Sequence, residues 1–237
     1  MFADINIDTI DVLKECGCQV ITPKDQVCCG SLMGHNGDME FALKLARKNI
    51  LAFEKHDYDY LISNSAGCGA FMKDYAHLLE DDPVYAEKAR IFSSKVKDVT
   101  EFLTEQKPLQ EIEYELDNKL GSVTYHDACH LVHAQKVSEQ PRHLIKSLPG
   151  INYTELEEAN WCCGSAGIYN VVRYNDSMKL LERKMKNIKN THANIVLTGN
   201  PGCMGQIKHG TQKFNVEVEV LHPVTLIKQL LKAKKKS

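Results

Sequence analysis

The sequence predicts an α/β fold made of two tandem Rossmann-like three-layer repeats with parallel sheets, of which the first repeat lacks its opening strand. One observation behind this prediction is an internal repeat. The motif Cys28-Cys29-Gly30-Ser31 recurs as Cys162-Cys163-Gly164-Ser165, an offset of 134 residues (28 to 162), and Cys68 recurs as Cys203, an offset of 135 (68 to 203). The other observation is that short apolar segments alternate with longer amphipathic ones in both copies, which is typical of parallel strands covered by helices.

The first copy is predicted to occupy residues 1–104. Its apolar periodicity and turn residues predict a defined order of helices and strands. These elements are a helix over 5–15, a strand over 18–21, a helix capped by Asp38, a strand over 60–63, a helix over 71–79 and a helix that begins at 99. The polar residues 104–120 that follow are predicted to be a linker.

The second copy is predicted to occupy residues 119–237. Its elements are a strand over 122–125, a helix opened by Pro141, a strand over 151–154, a helix with Met178, Leu181, Met185 and Ile188 on one face, a strand over 195–198 and a helix over 225–231. The offset places the first-copy counterpart of Cys129 before Met1. We therefore expect that Met1 is an internal start or that the chain is a fragment.

The bulk composition excludes several functional classes. The net charge of −2 gives no basic surface for nucleic acid, and no run of roughly 18 apolar residues is present to span a membrane. We find no Gly-x-Gly-x-x-Gly motif or phosphate-binding loop, so a nucleotide site is not expected. Nine cysteines without an export signal indicate reduced thiols. We therefore expect a cytoplasmic protein whose thiols bind metal or take part in redox chemistry.

Four cysteines of the second copy are the main candidates for a metal site. Cys129, Cys162, Cys163 and Cys203 each lie in a loop that follows a predicted strand. Because ligand sites in open parallel sheets collect at the carboxyl ends of strands, we expect the three loops to meet at one edge. Thiolates select iron-sulfur clusters, zinc or copper(I).

The adjacent pair Cys162-Cys163 favours a cluster over a single ion. Neighbouring Cα atoms are about 3.8 Å apart, too close for an ordinary disulfide. Zinc sites usually take paired Cys-x-x-Cys motifs, whereas the side chains of adjacent cysteines point apart and suit different irons of one cluster. Zinc and purely structural thiols remain the alternatives.

Cys28, Cys29 and Cys68 form the corresponding set in the first copy, but no fourth cysteine ligand is present there. Metal binding and its absence are equally open at this site. Cys16 and Cys18 have no partners in the second copy, and we expect them to be buried as small hydrophobic residues.

The loop around Cys129 offers further polar groups. His126 and His130 can donate hydrogen bonds to a cluster sulfur, transfer protons or ligate metal, and His126 can equally serve only to cap a loop. Asp127 is expected to anchor the loop.

Taken together, the motifs around the cysteines resemble those of the CCG cysteine-rich domain proteins. The motifs that carry the resemblance are Val27–Leu32, Ser65–Phe71, Tyr125–Gln135, Trp161–Gly167 and Asn200–Cys203. Members of this kind include the C-terminal half of the glycolate oxidase iron-sulfur subunit, the lactate-utilisation iron-sulfur protein and the cysteine-rich subunit of heterodisulfide reductase.

The resemblance implies a non-catalytic electron-transfer subunit of a 2-hydroxy-acid oxidoreductase for glycolate or lactate. It implies that Cys129, Cys162, Cys163 and Cys203 hold a [4Fe-4S] cluster, and that Cys28, Cys29 and Cys68 form part of a second site. FAD is expected only in a partner flavoprotein oxidase subunit. Electrons would pass to quinone, which makes the inner membrane face a further candidate location.

The chain departs from the resemblance in two ways. The ferredoxin-like segment that glycolate oxidase subunits carry at their N-terminus is not found in this sequence. In addition, Cys68 and Cys203 stand alone where heterodisulfide reductase relatives have Cys-x-x-Cys, which argues against direct disulfide chemistry. A zinc-binding or scaffold module that docks to a flavoprotein, and thiol-disulfide chemistry, are the alternative functions.

Overall fold

The structure is a computed structural model that describes residues 2–106, 109 and 121–234, with the side chains of 232–234 left aside. Its helices are α1 (Ala3–Glu15), α2 (Ser31–His35), α3 (Met39–Glu54), α4 (Ala66–Lys73), α5 (Tyr75–Leu78), α6 (Ala86–Ser94), α7 (Val99–Glu105), α8 (Glu139–Ser147), α9 (Tyr169–Val172), α10 (Tyr174–Asn190), α11 (Pro201–Lys213) and α12 (Pro223–Lys234). A π-helical turn covers His130–Ala134. The strands are β1 (Leu61–Ser63), β2 (Val96–Asp98), β3 (Ser122–Tyr125), β4 (Asn152–Tyr153), β5 (Ile195–Leu197) and β6 (Glu219–Leu221).

The strands form two parallel sheets, one in each repeat. The first sheet pairs β1 with β2, and Leu61 lies opposite Val96. The second has the order β4-β3-β5-β6, with Val123 of the central strand opposite Ile195. Helices cover these sheets, so the predicted three-layer α/β class with parallel sheets is confirmed. All carboxyl ends of one sheet point to the same edge.

The predicted strand over 18–21 is wrong, because the structure has no strand there. Its counterpart in the second repeat is β4, and β4 pairs only with β3. The described residues of the first repeat contain no equivalent of β3. A two-residue edge strand needs a neighbour to supply its hydrogen bonds, so Cys18 and Gln19 remain outside any sheet.

Several elements were not predicted. The strands β2 and β6 are three residues long and include the charged residues Lys97, Asp98 and Glu219, so they lack an apolar run. Helix α6 lies within a charged segment. The predicted linker over 104–120 falls mostly outside the described residues. The helix capped by Asp38 is confirmed, since its carboxylate accepts a hydrogen bond from the Phe41 amide at 3.1 Å.

Apolar side chains of the two repeats pack against one another in one core cluster. The larger core cluster combines strands and helices of the second repeat with α1, through Ile5, Val12 and Leu13, and with α7. A smaller cluster lies between α3, α4, α6 and the first sheet, around Tyr75 and Phe92. Because α1 packs on α12, the first repeat cannot be removed without exposing the core of the second.

Within the part of the chain that the structure describes, no helix combines the length and the apolar character needed to cross a membrane.

Candidate metal centre

The loop after β3 carries the first part of the site and is fixed by its backbone. The amide of His126 donates to the carbonyl oxygen of Leu197 at 2.8 Å, and that of Asp127 to Ala159 at 3.1 Å. Both oxygens of the Asp127 carboxylate accept from the Arg142 guanidinium, at 2.9 and 2.8 Å. The prediction that Asp127 anchors the loop is confirmed. Cys129 is thereby held at the start of the π-helical turn.

The Cys162-Cys163 turn depends on a glycine. Gly164 has a φ of 90°, and a Cβ at this position would lie 2.6 Å from the carbonyl oxygen of Ser177 on α10. The Ser177 hydroxyl in turn donates to the carbonyl oxygen of Gly164 at 2.8 Å. The amide of Gly164 donates to the sulfur of Cys162 at 3.3 Å. Glycine therefore allows the turn to bring its backbone against both the helix and a thiol.

Cys203 lies in the first turn of α11, not in a loop as predicted. Asn200 is the residue before the helix, and Pro201 occupies its first position, which suits a residue without an amide hydrogen. The side-chain amide of Asn200 donates to the sulfur of Cys203 at 3.3 Å. Cys68 likewise lies inside the first turn of α4, which begins at Ala66. The helix therefore begins five residues before its predicted start at Phe71. Both thiols therefore lie in the first turn of a helix, at the positive end of its dipole, which stabilises a thiolate.

The four thiols of the second repeat form a continuous set of hydrogen-bonding neighbours. Cys129 contacts Cys162, Cys162 contacts Cys163, and Cys163 contacts Cys203. Thiol donation from Cys129 lowers the pKa of Cys162, and donation from Cys163 lowers the pKa of Cys203. The pKa values of Cys129 and Cys163 are raised, because each keeps its proton to donate a hydrogen bond to a neighbouring sulfur and is also desolvated. The structure brings together all four cysteines that the sequence selected in this repeat.

His126 is buried against this set. Its ring nitrogen and the sulfur atoms of Cys163 and Cys203 all lie within 4.8 Å of one another. The half-buried His130 is placed differently, with Nδ1 3.7 Å from the sulfur of Cys129.

Lys184 is a neighbouring residue that the sequence reasoning missed. Its side chain is fully buried, and its ammonium donates to the carbonyl oxygens of Glu158 and Ala159, just before the cysteine turn. Burial lowers its pKa to about 8, an effect that the nearby Cys163 thiol opposes. The periodicity contained a signal for it, because Lys184 falls on the same helix face as Leu181 and Ile188.

Comparison with known proteins agrees with this arrangement. The family model of the CCG cysteine-rich domain matches residues 2–73 and 123–208, which together make up most of the chain and fall in both repeats. The chain belongs to the CCG cysteine-rich domain family.

Curated relatives are similar over nearly the whole chain. A probable glycolate oxidase iron-sulfur subunit of Bacillus subtilis is 42% identical over 229 residues, which cover 96% of this chain and 51% of the relative. Lactate utilization protein A of Bacillus licheniformis is 29% identical over 90% of this chain and 88% of its own length. The same protein of Lysinibacillus sphaericus is 27% identical over 92% of this chain and 94% of its own. The chain thus spans about half the length of the glycolate oxidase relative.

The first CCG repeat presents a smaller set of thiols. Cys29 is buried and donates to Cys68, and this lowers the pKa of Cys68, whereas Cys28 is exposed. Asn49 of α3 stabilises the turn through its side chain. Its Nδ2 donates to the Cys28 carbonyl oxygen at 3.2 Å, and its Oδ1 accepts from the Val27 amide at 2.9 Å. The described part of the first repeat has no strand equivalent to β3, and so no loop equivalent to the one that carries Cys129.

A hydrogen-bonded bridge joins the two CCG sites. Ser65 and Asn200 precede the cysteine helices of the two repeats and stand at equivalent positions. The Ser65 hydroxyl and the Gly67 amide both donate to Oδ1 of Asn200, each at 3.4 Å. Ser65 also hydrogen-bonds the Cys68 thiol, and Asn200 the Cys203 thiol. The two thiol sets are therefore neighbours across the repeat boundary.

Cys16 and Cys18 lie away from both sites. Each is partly buried and packs against the larger core cluster. Burial raises the pKa of Cys16 to about 12 and also raises that of Cys18. The expectation that both are buried as small hydrophobic residues is confirmed only in part, since both pack against the core but remain partly exposed.

The donor set of the second CCG repeat fits an iron-sulfur cluster. Four thiols from three segments converge, and an imidazole beside them has two buried nitrogens with no nitrogen or oxygen partner among the described residues and lies against the sulfur of Cys203. Thiolate sulfur is the ligand that such clusters take in proteins, and amides that point at the sulfurs stabilise their negative charge.

Proposed function

We propose that this chain is the cysteine-rich part of an iron-sulfur electron-transfer subunit that serves a flavin-dependent 2-hydroxy-acid oxidoreductase acting on glycolate or lactate. The observation that carries the proposal is the convergence of Cys129, Cys162, Cys163 and Cys203, which come from three separate segments and make an unbroken series of sulfur contacts. The names of the relatives, an iron-sulfur subunit and lactate utilization proteins, support the substrate class.

The residues around the metal centre of the second CCG repeat have separate roles in this proposal. The four cysteines would hold a [4Fe-4S] cluster, whose chemistry is the acceptance and release of one electron. The Gly164 amide and the Asn200 side chain donate to sulfur and so favour the more negative, reduced state. Lys184 places a buried positive charge beside the same turn.

Cys28, Cys29 and Cys68 are proposed to form a second, weaker metal site. It has one thiol fewer, and Cys28 is exposed. The Ser65–Asn200 bridge places this set next to the first, so that an electron could pass between two loaded sites.

The partners follow from the same reasoning. Electrons would arrive from a flavoprotein oxidase subunit that carries FAD and leave toward quinone, with docking at the inner membrane face. Since the chain spans about half of the glycolate oxidase relative, the substrate and the partners are properties of the whole assembly.

Anaerobic purification tests the proposal directly. The protein should be brown and contain stoichiometric iron and acid-labile sulfide, and Cys162→Ser or Cys163→Ser should remove most of both. Cys16→Ser is the matched control and should leave the metal content unchanged, because Cys16 packs in the core. A colourless protein that holds one zinc ion would favour the zinc or scaffold module instead. Disulfide reduction that is lost when all four thiols are replaced would favour thiol-disulfide chemistry.

A further inference from the structure

His126 has an environment that its structural contacts do not explain. It follows β3 directly, is 1% exposed, and is held by its backbone amide. Neither ring nitrogen has a nitrogen or oxygen hydrogen-bond partner among the described residues, and the polar atom that the imidazole approaches is the sulfur of Cys203, whose pKa the imidazole lowers. Buried polar side chains in folded proteins nearly always have their bonding capacity satisfied, so an imidazole whose polar neighbours are sulfur atoms has room for a further partner. A loop cap alone would need only the backbone of this residue.

The atoms that His126 faces are metal-ligating ones. The nitrogen of the imidazole and the sulfur atoms of Cys163 and Cys203 lie within 4.8 Å of one another, and all three residues are buried. Nitrogen and sulfur ligands of one tetrahedral ion are roughly 3.5 to 3.8 Å apart. Side-chain movements of about 1 Å would therefore bring the three atoms onto one metal.

The other histidine of the loop provides a contrast. His130 is only half-buried, its ring packs 5.3 Å from the ring of His35, and its Nδ1 lies 3.7 Å from the sulfur of Cys129. It has an aromatic neighbour from the first repeat and is not one of the buried group of three. The geometry therefore separates the two histidines that the sequence could not distinguish.

We propose that His126 is a protein ligand of the metal centre in the second CCG repeat, bound through a ring nitrogen to a metal atom that Cys163 or Cys203 also binds. Four thiolates would already supply one ligand to each iron of a [4Fe-4S] cluster, so the imidazole would be a fifth protein ligand and would raise the coordination number of the iron that it shares with a cysteine. The inference rests on the proposed function, because it concerns the same centre. A neutral imidazole adds a ligand without adding negative charge, and histidine ligation raises the potential of iron-sulfur centres relative to ligation by thiolate alone.

Pulsed electron paramagnetic resonance tests the ligand without reference to activity. The full chain is prepared anaerobically with natural and with 15N-labelled histidine, and the centre is reduced to its paramagnetic state. We expect a strong nitrogen coupling that changes with the label and is lost in His126→Gln. The matched control, His130→Gln, should retain it. An iron-loaded wild-type protein without a strong histidine coupling would overturn the proposal, whatever the folding of the variants.

A second measurement separates this inference from the proposed function. If the wild-type protein contains no iron or sulfide, the cluster proposal fails, and cobalt(II) titration of the metal-free chain decides the role of His126. We expect His126→Gln and His126→Asn to bind cobalt about 10²- to 10³-fold more weakly and to shift its visible absorption bands. Bands and affinity equal to those of the wild type, in variants that unfold at the wild-type temperature, would contradict ligation.

Discussion

The two CCG repeats use the same local devices but reach different sites. In each, a glycine with a φ of 90° follows the cysteine pair, and the last cysteine lies in the first turn of a helix. Only the second repeat has a β3 strand among the described residues, and the loop after β3 brings both Cys129 and His126. The presence of one central strand therefore decides whether a CCG repeat has three sulfur donors or a closed set of ligands.

The two repeats should differ most in their affinity for a metal ion. Four-ligand zinc sites bind with about 10 to 16 kcal/mol, so one ligand contributes roughly 3 to 4 kcal/mol, or about 10²- to 10³-fold. Cys28→Ser/Cys29→Ser should leave a chain that binds cobalt(II) with wild-type affinity at the second repeat. Cys162→Ser/Cys163→Ser should leave only a site that is about 10²-fold weaker.

Titration of the two double variants with cobalt(II), followed by its sulfur charge-transfer absorption, makes this comparison. Both variants lose an equivalent pair, so each controls for the other. Equal affinities would mean that the β3 loop adds nothing, and the distinction between the repeats would have to be abandoned.

The part of the site that local sequence determines was predicted well. The strand β3 was predicted with its observed bounds, and the four thiols that follow three strands do meet at one edge. These features depend on short-range patterns and on a general rule for parallel sheets. The family resemblance to CCG proteins is confirmed by the match in both repeats.

What failed depends on contacts between distant residues. A strand over 18–21 has suitable residues but no neighbour to pair with, and β2 forms because β1 lies beside it although its sequence is partly charged. The buried charge of Lys184 and the contact of Asn200 with Ser65 exist only when the elements have packed. Periodicity along one segment does not contain that information.

Each repeat has a buried titratable group at the end of its last strand. These two groups should make the repeats respond to acid in opposite ways. His222 follows β6, and burial lowers its pKa from 6.5 to about 4. Asp98 ends β2, and burial raises its pKa from 3.8 to about 6. Between pH 6.5 and 4, His222 is protonated in the unfolded chain but not in the folded one, so the free energy of unfolding falls as the pH falls. Asp98 is protonated in the folded chain before the unfolded one, so its contribution to the free energy of unfolding rises.

Each contribution is roughly 3 kcal/mol, so the two should nearly cancel in the wild type. Urea unfolding at pH 6.5 and at pH 4 is the measurement. His222→Gln should gain stability on acidification relative to the wild type, and Asp98→Asn should lose it. Parallel pH profiles for both variants and the wild type would show that neither group titrates as its burial implies.

A buried side chain donates to backbone carbonyl oxygens at each of the two cysteine turns, and these two side chains can be exchanged. Helices α3 and α10 begin 135 residues apart (39 to 174), which places Asn49 and Lys184 at equivalent positions. A buried unit charge near the centre contributes about 1 to 2 kcal/mol, or roughly 40 to 90 mV for one electron. Lys184→Asn, which copies the first repeat, should lower the midpoint potential of the second centre by that amount.

A redox titration monitored by paramagnetic resonance measures this shift. Lys186→Asn, at an exposed position on the same helix, is the matched control and should leave the potential unchanged. If both variants have the wild-type potential, Lys184 serves only to hold the carbonyl oxygens of Glu158 and Ala159.

The smallest expected effect lies at the bridge between the sites, where the equivalent residues are Ser65 and Asn200. Asn200→Ala removes an N–H donor from the sulfur of Cys203, and one such bond contributes about 1 kcal/mol, or about 40 mV for one electron. Since donation to sulfur favours the reduced state, the potential should fall. Asn200→Ser should fall less, because a hydroxyl can replace the donor as Ser65 does beside Cys68. Ser65→Ala should change the second centre least, since the Gly67 amide still holds Asn200. An equal shift for Ser65→Ala and Asn200→Ala would instead mean that the bridge acts as one unit and that the two sites cannot be tuned separately.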